Sequence, residues 1–552
     1  MQPPVPPAGM AALAGFHPLL ARLLYNRGIR SRAEADAFLS AGRELCADPY
    51  LLPDMDAAVT RLFRALRSGE TIAVFGDFDC DGVTAAAVLT LGLEALGGRV
   101  IPYIPDRVSE GHGLNVPALT ALRQQGASLV VTADCGISSV AEVEQAPRTG
   151  LDVIITDHHT VPPIPPPALA VVNARRADSH YPSPELASVG VAYKVVQGLY
   201  QALGRPEPER LLDLVAVGTV ADMALLLHEN RYLVSRGLAQ VNRAERAGFR
   251  ALMEQAGLRP GSIDAEAVSF SLAPRLNAAG RMDHASTSYR LLVTTSAEEA
   301  QQLAARLESQ NAERRRLTEE LSARAREQVG RETLAPLLMV AGREYPPGVV
   351  GLVASRLVEE FGRPAVAVAV GERTSRGSCR SIPEFNIVAA LARCRDLFAQ
   401  FGGHAQAAGF TIENERLDEL RRRLVENAAQ ELAGVELRPT LTIDAEVAPS
   451  ALVGSLWREV QRMTPFGAGN PPPTFLSRSV QVLDRRGVGA DGRHLSLKLK
   501  HQGAVWSGIA FGLGGLAMRL GDRVDVVYTL VADDWNGEKT LKLNVLDAAS
   551  SP

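Results

Sequence analysis

The sequence predicts an α/β fold: a parallel-sheet domain is joined by a long helix to a smaller α/β domain, and an all-β barrel follows. Short Val- and Ile-rich runs alternate with helical segments in the first half of the 552-residue chain, as in a parallel sheet with helices on its faces. Between Ser296 and Gly330 the chain has no Gly or Pro and is rich in Ala, Leu, Glu, Gln and Arg, which favours one long helix. From Leu437 onward, short strands alternate with Gly-rich turns, a pattern typical of a small barrel.

The composition excludes several classes of protein. Lys+Arg number 58 and Asp+Glu 62, a net charge of −4, so a site for a polyanion must be local. The five cysteines are widely spaced without a C-x-x-C pair, so neither a disulfide framework nor a zinc knuckle is expected. No apolar run reaches the roughly 18 residues of a membrane span. We therefore expect a cytoplasmic protein that does not bind membranes.

The domain boundaries are placed where the pattern of residues changes. In chain order, the predicted segments are a helical extension (1–56), the parallel-sheet domain (57–295), a connector helix (296–335), the smaller α/β domain (336–436) and the barrel (437–552). The predicted strands of the first sheet are TIAVFGD, RVIPYIPD, SLVVTAD, LDVIITD and LAVVNAR. The first four end in Asp, and ligands of parallel sheets gather at the carboxyl ends of the strands.

The first strand runs into the acidic motif FGDFDCDG, in which Asp77, Asp79 and Asp81 alternate. In an extended backbone the three carboxylates would share one face, and like charges so close are costly unless a cation lies between them. An EF-hand loop begins in the same way but requires a Glu at position 12, where this chain has Val88. The motif therefore indicates a catalytic metal site, with solvated acids in a turn as the alternative.

Three further strand ends favour the metal site. VVTADCG supplies Asp134, IITDHH supplies Asp157, His158 and His159, and VGTVADM supplies Asp222. Carboxylates with one or two imidazoles and no thiolate suit Mn²⁺ or Mg²⁺. Because the acids outnumber the needs of one ion, we predict a two-metal site with a bridging carboxylate, of the kind that hydrolyses phosphoesters.

These motifs resemble those of the DHH phosphoesterase superfamily, whose signature is present in IITDHHT. Within the superfamily the chain resembles the RecJ family over about residues 57–546, in the segments IPDRVSEGHGLN, SFSLAPRLNAAGRM, GSCRSI, FGGHAQAAG and TPFGAGNPPP. The resemblance implies a DHH catalytic domain, a DHH-associated substrate-binding domain and an oligonucleotide-binding (OB) barrel in this order. Ala133 and His112 stand where relatives often have Val and Tyr.

The resemblance also implies roles for individual residues. The implied ligands of two divalent cations (Mn²⁺ or Mg²⁺), with Asp134 bridging, are Asp79, Asp81, Asp134, His158 and Asp222. Asp77 would be a ligand or lie directly behind one, and Asp157 would lie behind the ligands. His159 would face the scissile phosphate, and we place Arg281 and His404 with it as catalytic candidates.

Basic and polar residues in several segments are candidates for binding the substrate. Arg offers a planar fork of donors that suits phosphate, although Arg-rich turns are more often simply solvated. On the barrel, two Lys at alternating positions would share one face, as in OB folds that bind single strands. The predicted substrate-binding residues are Arg107, Arg275, Asn277, Arg281, Arg376, Ser378, Arg380, Lys498 and Lys500.

The function implied by the resemblance is 5′→3′ hydrolysis of single-stranded DNA to 5′-mononucleotides, in DNA repair and recombination. Expected partners are single-stranded DNA, a single-strand-binding protein and a helicase, with the chain acting as a monomer. The alternatives are a DHH phosphodiesterase that acts on short RNA or cyclic dinucleotides, and a non-catalytic DHH scaffold. The terminal barrel argues against the first alternative, and the intact ligand set argues against the second.

Overall fold

The computed structural model of the chain describes residues 1–330, 334–438, 440–452, 454–489, 492–518, 520–535 and 538–551. The chain begins with the helices α1 (Pro7–Ala12), α2 (Pro18–Asn26), α3 (Arg32–Ser40) and α4 (Met55–Ser68). Helix α3 begins at a capping box, because Ser31 accepts a hydrogen bond from the Glu34 N–H and the Glu34 side chain accepts one from the Ser31 N–H.

The next part of the chain forms a parallel sheet with strand order β2-β1-β3-β4-β5. Its elements are β1 (Thr71–Gly76), α5 (Cys80–Glu94), β2 (Arg99–Tyr103), α6 (Val116–Gln124), β3 (Ala127–Ala133), α7 (Val140–Gln145), β4 (Asp152–Thr156) and β5 (Ala170–Val172). Ile72 and Val74 pack into one hydrophobic core, and Ala73 and Phe75 pack into another on the opposite face. Both faces of β1 are therefore buried, as expected for a parallel strand, and the prediction of a parallel sheet is confirmed.

A helical layer follows the sheet and covers one of its faces. Its helices are α8 (Ser188–Ala202), α9 (Leu212–Ala221), α10 (His228–Arg243), α11 (Ala247–Gln255), α12 (Ala265–Ala267), α13 (Ala273–Met282) and α14 (Ser286–Val293), with a π-helical turn (Val268–Leu272) before α13. The predicted long helix is α15 (Ala297–Val329), which begins where Ser296 accepts a hydrogen bond from the Glu299 N–H. Helix α15 packs against α11, α13 and α14, and also against the first helix of the next domain.

The second α/β domain is smaller and its sheet is mixed, with strand order β6-β7-β8-β10-β9. Its elements are β6 (Leu338–Gly342), α16 (Val350–Phe361), β7 (Ala365–Val370), β8 (Thr374–Arg380), α17 (Ile387–Ala392), β9 (Phe398–His404), β10 (Ala407–Glu413) and α18 (Leu417–Glu431). Only the β6–β7 pair is parallel among the described strands of this sheet.

The predicted barrel is also confirmed. It contains β11 (Ala445–Glu446), α19 (Ser455–Gln461), β12 (Phe475–Val488), β13 (His494–His501), β14 (Ala504–Ala510), β15 (Arg523–Trp535) and β16 (Glu538–Ser550). The order β12-β13-β14-β16-β15 closes on itself through pairing of β15 with β12. Leu20, Leu23 and Leu24 of α2 pack into the core of this barrel, so the first helices of the chain lie against its last domain.

A fully buried arginine connects the barrel, the first helices and the parallel-sheet domain. Arg231 of α10 donates hydrogen bonds to the carbonyl oxygens of Phe38 (2.6 Å), Met463 (2.9 Å) and Thr464 (2.6 Å). Its guanidinium also lies 3.8 Å from the centroid of the Phe38 ring. Because a buried charge without partners is costly, these contacts fix where the barrel docks. Among the described helices, none combines the length and the apolar character needed to cross a bilayer.

Candidate metal centre and phosphate cleft

The carboxyl ends of three neighbouring strands bring acidic residues to one edge of the sheet. Asp77 follows β1, Asp134 follows β3 and Asp157 follows β4. The Asp77 N–H donates to the Ala133 carbonyl (3.0 Å) and the Asp134 N–H to the Thr156 carbonyl (3.1 Å), so the strands stay linked up to this edge. Asp134 has a left-handed backbone with φ of 68°, a conformation that Asp tolerates better than most residues.

The three acids of the first motif do not share one extended face, which corrects the expectation from their alternation. Asp79 is the N-cap of α5 and accepts a hydrogen bond from the Gly82 N–H (3.0 Å). Because the helix begins at Cys80, Asp81 lies in its first turn. Its carboxylate points to the N-terminus of α8, where it accepts hydrogen bonds from the N–H groups of Ser188 (2.8 Å) and Val189 (2.9 Å).

Tertiary folding nevertheless gathers the predicted acids and imidazoles. His158 Nε2 lies 3.5 Å from Asp134 Oδ1, and His158 Nδ1 lies 3.7 Å from Asp222 Oδ2. Three groups of residues have potential ligand atoms that lie within 4.8 Å of one another. The groups are Asp77/Asp79/Asp134, Asp134/His158/His159 and Asp81/His158/Asp222. Asp134 and His158 each belong to two groups, so the arrangement has the shared residues that a two-ion centre needs.

The environment of these residues fits divalent cations. Buried carboxylate oxygens of Asp77 and Asp134 (Oδ1 in each) receive no hydrogen bond from the described part of the chain. Burial and the neighbouring carboxylates raise the pKa of Asp81 and Asp134 well above the usual range, and burial and Asp79 raise the pKa of Asp222 to about 7. Unpartnered buried carboxylates are costly, and a cation removes that cost.

The two histidines have different charge states. Burial and the charge of His159 lower the pKa of His158 to about 3, which leaves the neutral imidazole that binds metals. Burial opposes protonation of His159, but its hydrogen bond to Asp157 (Nδ1–Oδ1 2.8 Å) and nearby acids raise its pKa to about 9. Asp157 also accepts hydrogen bonds from the N–H groups of His158 (2.7 Å), His159 (3.0 Å) and Ile137 (3.1 Å). Asp157 thus orients the His159 ring directly and holds the backbone of His158.

The second domain adds a ring to this site. His404, at the end of β9, lies parallel to His159 with ring centroids 6.1 Å apart and an interplanar angle of 6°. Burial and the charge of His159 lower the pKa of His404. The two α/β domains therefore enclose one cleft.

A cluster of partly buried arginines lies in the same cleft. Burial and the nearby charges of Arg107, Arg314 and Arg380 lower the pKa of Arg281 to about 9. Burial also lowers the pKa of Arg107 and of Arg380. Within the described residues, none of Arg107, Arg281 and Arg380 forms an ion pair. Arg281 donates a hydrogen bond to the Gly348 carbonyl (3.3 Å). Arg380 donates to the Cys379 carbonyl (2.8 Å) and to Ser378 Oγ (3.2 Å), so all these acceptors are neutral. Partly buried cations without counter-charges favour binding of an anion.

The N-terminus of α16 contributes to this cluster. A Cβ on Gly351, in the first turn of α16, would lie 3.1 Å from both Arg380 Nη2 and Ser378 Oγ. Glycine therefore allows the helix end, whose free N–H groups favour anions, to approach these side chains. Arg376 alternates with Ser378 along β8 and is exposed.

Other predicted substrate residues lie elsewhere or have protein partners. The Arg275 guanidinium pairs with Glu308 and donates to the Ser271 carbonyl (2.8 Å), and its contact with substrate stays a prediction. The Asn277 side-chain oxygen accepts a hydrogen bond from the Cys80 N–H (2.8 Å), which supports the acidic loop. On the barrel, Lys498 and Lys500 are exposed on β13.

Sequence reasoning missed three residues of the cleft. His112 Nδ1 lies 3.3 Å from Asp77 Oδ2, although the sequence marked it only as a departure from relatives. Arg314 lies in α15, among several other Arg, so nothing in its local pattern distinguishes it. Gly351 acquires its role from β8, which is distant in sequence. None of the three has a local signal strong enough to identify it.

Family models match all three domains. The DHH family N-terminal domain matches residues 71–219, the DHHA1 domain matches residues 335–431 and the RecJ OB domain matches residues 443–547.

Curated relatives match over nearly the full chain. "Single-stranded-DNA-specific exonuclease RecJ" of Bacillus subtilis is 36% identical over 97% of this chain and 68% of the relative. The proteins of the same name from Dickeya dadantii and Escherichia coli are 35% and 34% identical, over 95% and 96% of this chain and 95% of each relative.

Solved structures agree with these matches. The crystal structure of RecJ from Thermus thermophilus in complex with Mn²⁺ is 34% identical with a TM-score of 0.85, and covers 99% of this chain and 78% of that one. Its complex with Mg²⁺ gives a TM-score of 0.79 at 32% identity, over 99% of this chain and 76% of that one. The oxygen-rich ligand set found here suits the same two ions.

Proposed function

The chain belongs to the RecJ family of single-stranded-DNA-specific exonucleases, and we propose that its cleft removes 5′-mononucleotides from the 5′ end of single-stranded DNA. One observation carries the proposal: the acid–imidazole centre and the unpaired arginines lie in the same cleft. Asp77 and Asp79 lie close enough to Arg107 to oppose the effect of burial on its pKa. A cation centre next to an anion pocket fits a scissile phosphodiester beside a terminal phosphate.

The acidic residues and His158 would hold two divalent ions, Mn²⁺ or Mg²⁺, and Asp134 would serve as the ligand that both share. When bound, these ions supply an activated water nucleophile and neutralise charge on the phosphate. Asp157 keeps His158 and His159 in place through three accepted hydrogen bonds, and a fourth from the Ile137 N–H holds its own carboxylate. The protonated His159 donates a hydrogen bond to a non-bridging phosphate oxygen, where charge builds up in the transition state.

The direction of digestion is set by the arginine pocket. Ser378 and Arg380 of β8, with Arg107 and Arg281, bind the 5′-terminal phosphate through charge-assisted hydrogen bonds, and the α16 N-terminus reinforces them. A phosphate held there places the first internucleotide linkage at the metal centre. His404 from the second domain lies over His159 and completes the enclosure of the linkage.

We propose the following cellular setting. A helicase supplies unpaired strands and a single-strand-binding protein holds them, because an exonuclease of this kind needs single strands. The chain acts as a monomer in the cytoplasm, in DNA repair and recombination, and the exposed Lys498 and Lys500 of the barrel bind the strand beyond the cleft. Co-purification with a single-strand-binding protein and light scattering of the pure protein test these points.

The activity is tested with end-labelled DNA. Strands blocked at the 5′ or at the 3′ end are incubated with and without Mn²⁺, with duplex DNA as a control. We expect mononucleotides only from single strands with an accessible 5′ end and only with the metal. Equal digestion of 5′-blocked strands would contradict the polarity, and hydrolysis limited to short RNA or cyclic dinucleotides would favour a different DHH phosphodiesterase activity.

The metal centre is tested with Asp134→Asn, because Asn, like Asp, tolerates the positive φ of this position. We expect almost complete loss of turnover and a smaller rise in melting temperature on adding Mn²⁺. Because the raised pKa of Asp134 means that its ionised form destabilises the fold, the metal-free variant should melt above the metal-free wild type at neutral pH.

The matched control is Asp418→Asn, which changes an exposed acid on α18 and should leave both properties unaltered. Near-normal turnover by Asp134→Asn, with an unchanged manganese response, would overturn the two-metal assignment.

A further inference from the structure

The aromatic residue between the first two acids of the metal loop has a contact that the reaction scheme does not use. Phe78 lies between Asp77 and Asp79, and its side chain is 2% exposed. Two side chains from the loop between β2 and α6 contact its ring. The guanidinium carbon of Arg107 lies 4.7 Å from the ring centroid, and the His112 ring lies 4.3 Å away, centroid to centroid.

Arg107 depends on this ring because it has few other partners. Within the described residues, its guanidinium makes no hydrogen bond or ion pair, and its contact with the Phe78 ring is what places it. Burial lowers the pKa of Arg107 while Asp77 and Asp79 oppose that effect, and the side chain is partly shielded from water. A cation over an aromatic face is attracted by the ring quadrupole, and more strongly when desolvated.

The rest of the loop is held independently of the ring. Asp106 accepts hydrogen bonds from the N–H groups of Val108 (3.1 Å) and Ser109 (2.7 Å), and Glu110 accepts them from the Asp106 N–H (2.8 Å) and the Asn115 side chain (3.1 Å). These bonds fix the loop backbone but do not reach the Arg107 guanidinium. Removing the ring should therefore release the guanidinium without unfolding the loop.

The backbone of Phe78 also borders the other side of the phosphate pocket. A Cβ on Gly280 would lie 2.4 Å from the Phe78 carbonyl oxygen, so α13 packs closely on this residue immediately before Arg281. His112, on the same ring, lies 3.3 Å from Asp77. Phe78, which is itself part of the metal loop, thus contacts two elements of the arginine cluster, namely the loop that carries Arg107 and helix α13, which carries Arg281.

We propose that Phe78 is a positioning residue that holds Arg107 against the terminal phosphate and so helps to select 5′-phosphorylated ends. This inference rests on the proposed function of Arg107. The ring does not touch the reacting atoms, and it acts by reducing the freedom of a guanidinium that has no hydrogen bond or ion pair to any described residue. Its role is therefore specific to substrates that carry the phosphate that Arg107 binds.

The test compares Phe78→Leu, which removes the ring but keeps an apolar side chain, with the wild type on 5′-phosphorylated and 5′-hydroxyl strands. The ratio of kcat/KM for the two strands should fall by about 2- to 30-fold, the range expected for loss of a cation–π contact. Phe78→Tyr keeps the ring and should retain the wild-type ratio. In an Arg107→Ala background, Phe78→Leu should have no further effect on the ratio.

Two controls separate positioning from general damage. Phe75→Leu removes an equally buried ring that stacks on Tyr103, and it should not change the ratio. Manganese titration checks that Asp77 and Asp79 still bind metal in Phe78→Leu. If Phe78→Leu fails to fold, Phe78→Met is the second variant without a ring, since Met fills similar space.

Binding separates this inference from the proposed function. Affinities are measured for strands whose first linkage is a non-hydrolysable phosphorothioate, with a 5′ phosphate or a 5′ hydroxyl. If the wild type degrades no DNA, the proposed function fails, yet the loss of phosphate preference in Phe78→Leu still supports the role of the ring. An equal loss on both strands, or an undiminished effect in the Arg107→Ala background, would overturn the inference.

Discussion

At the scale of single residues, the cleft combines two kinds of uncompensated charge. Within the described part of the chain, buried carboxylate oxygens of Asp77 and Asp134 lack donors, and the partly buried guanidiniums of Arg281 and Arg380 lack counter-charges. Each group alone would destabilise the fold, since burying an unpaired charge costs several kcal/mol. Cations would complete the first set and phosphates the second, so binding of metal and DNA should recover the stability that these charges cost.

The Arg380 guanidinium provides a residue-scale prediction about end recognition. A hydrogen bond to a charged group contributes about 1.5–3 kcal/mol. Arg380→Ala should therefore lower kcat/KM on 5′-phosphorylated strands by roughly 10- to 150-fold if the contact persists in the transition state. On 5′-hydroxyl strands the loss should be much smaller, because the partner charge is absent.

The matched control is Arg376→Ala, which removes an exposed arginine on the same strand and should affect the two strands equally. The measurement is a comparison of two variants and the wild type on two substrates. If Arg380→Ala loses the same factor on both strands, Arg380 binds something other than the terminal phosphate.

At the scale of elements, helix N-termini and close helix contacts place the side chains of the site. The carboxylate of Asp81 lies at the N-terminus of α8, and the side chains of Ser378 and Arg380 lie at the N-terminus of α16. Helix α13 approaches the acidic loop so closely that Asn277 accepts a hydrogen bond from the Cys80 N–H. Small residues at these contacts are as important to the site as the charged residues.

The contact of α13 with the metal loop gives an element-scale prediction. In Gly280→Ala the new methyl group would lie 2.4 Å from the Phe78 carbonyl oxygen, so either α13 or the loop must move. We expect a loss of about 1–3 kcal/mol in the free energy of unfolding. We also expect the exonuclease rate with Mn²⁺ to fall by more than the loss of folded protein explains.

The control is Gly190→Ala in α8, where the nearest atom is the end of the Leu186 side chain at 3.3 Å and can adjust. Denaturant unfolding and exonuclease rates are measured on both variants. Wild-type rates in Gly280→Ala would indicate that the α13 contact does not set the geometry of the site.

At the scale of the whole molecule, the two ends of the chain form one structural unit. Helices α1–α3 and the barrel share a hydrophobic core, and polar contacts such as the Arg27–Asp444 ion pair (3.0 Å) join them. Leu226 lies four residues after Asp222 in the chain, and its N–H donates a hydrogen bond to the Ala468 carbonyl (2.8 Å). The barrel is therefore docked beside the metal centre.

This arrangement predicts different outcomes for two truncations. A chain ending at residue 436 leaves the apolar face of α2 exposed, so it should bind hydrophobic dyes and aggregate. The fragment 43–436, which lacks α1–α3 as well, should remain soluble, bind Mn²⁺ and cleave short strands. On long strands its affinity should fall at least about tenfold, with a weaker dependence on salt, because phosphate and stacking contacts of the barrel are lost.

Dye binding, manganese titration and strand affinity at several salt concentrations are measured on both fragments. Equal solubility of the two fragments would contradict the shared core. Unchanged affinity and salt dependence in the shorter fragment would mean that the barrel does not hold the strand.

The sequence by itself determined the parallel sheet, the long helix, the barrel and the chemistry of the metal centre. Strand periodicity and the Asp and His residues after each strand are local patterns, and a parallel sheet brings its carboxyl ends to one edge whatever the details of packing. The same patterns indicate Asp134, His158 and Asp222 as members of the centre. The charged residues of RLNAAGRM carried no comparable local signal.

Only the tertiary structure decided which basic residues face the cleft and which domains touch. Arg275 and Arg281 are six positions apart in one motif, yet Arg275 pairs with Glu308 while Arg281 lies among unpaired arginines. Likewise, no pattern in the first 40 residues indicates that they pack on the barrel at the other end of the chain. Partners distant in sequence are chosen by complementary shape and charge, and periodicity within a segment does not encode that choice.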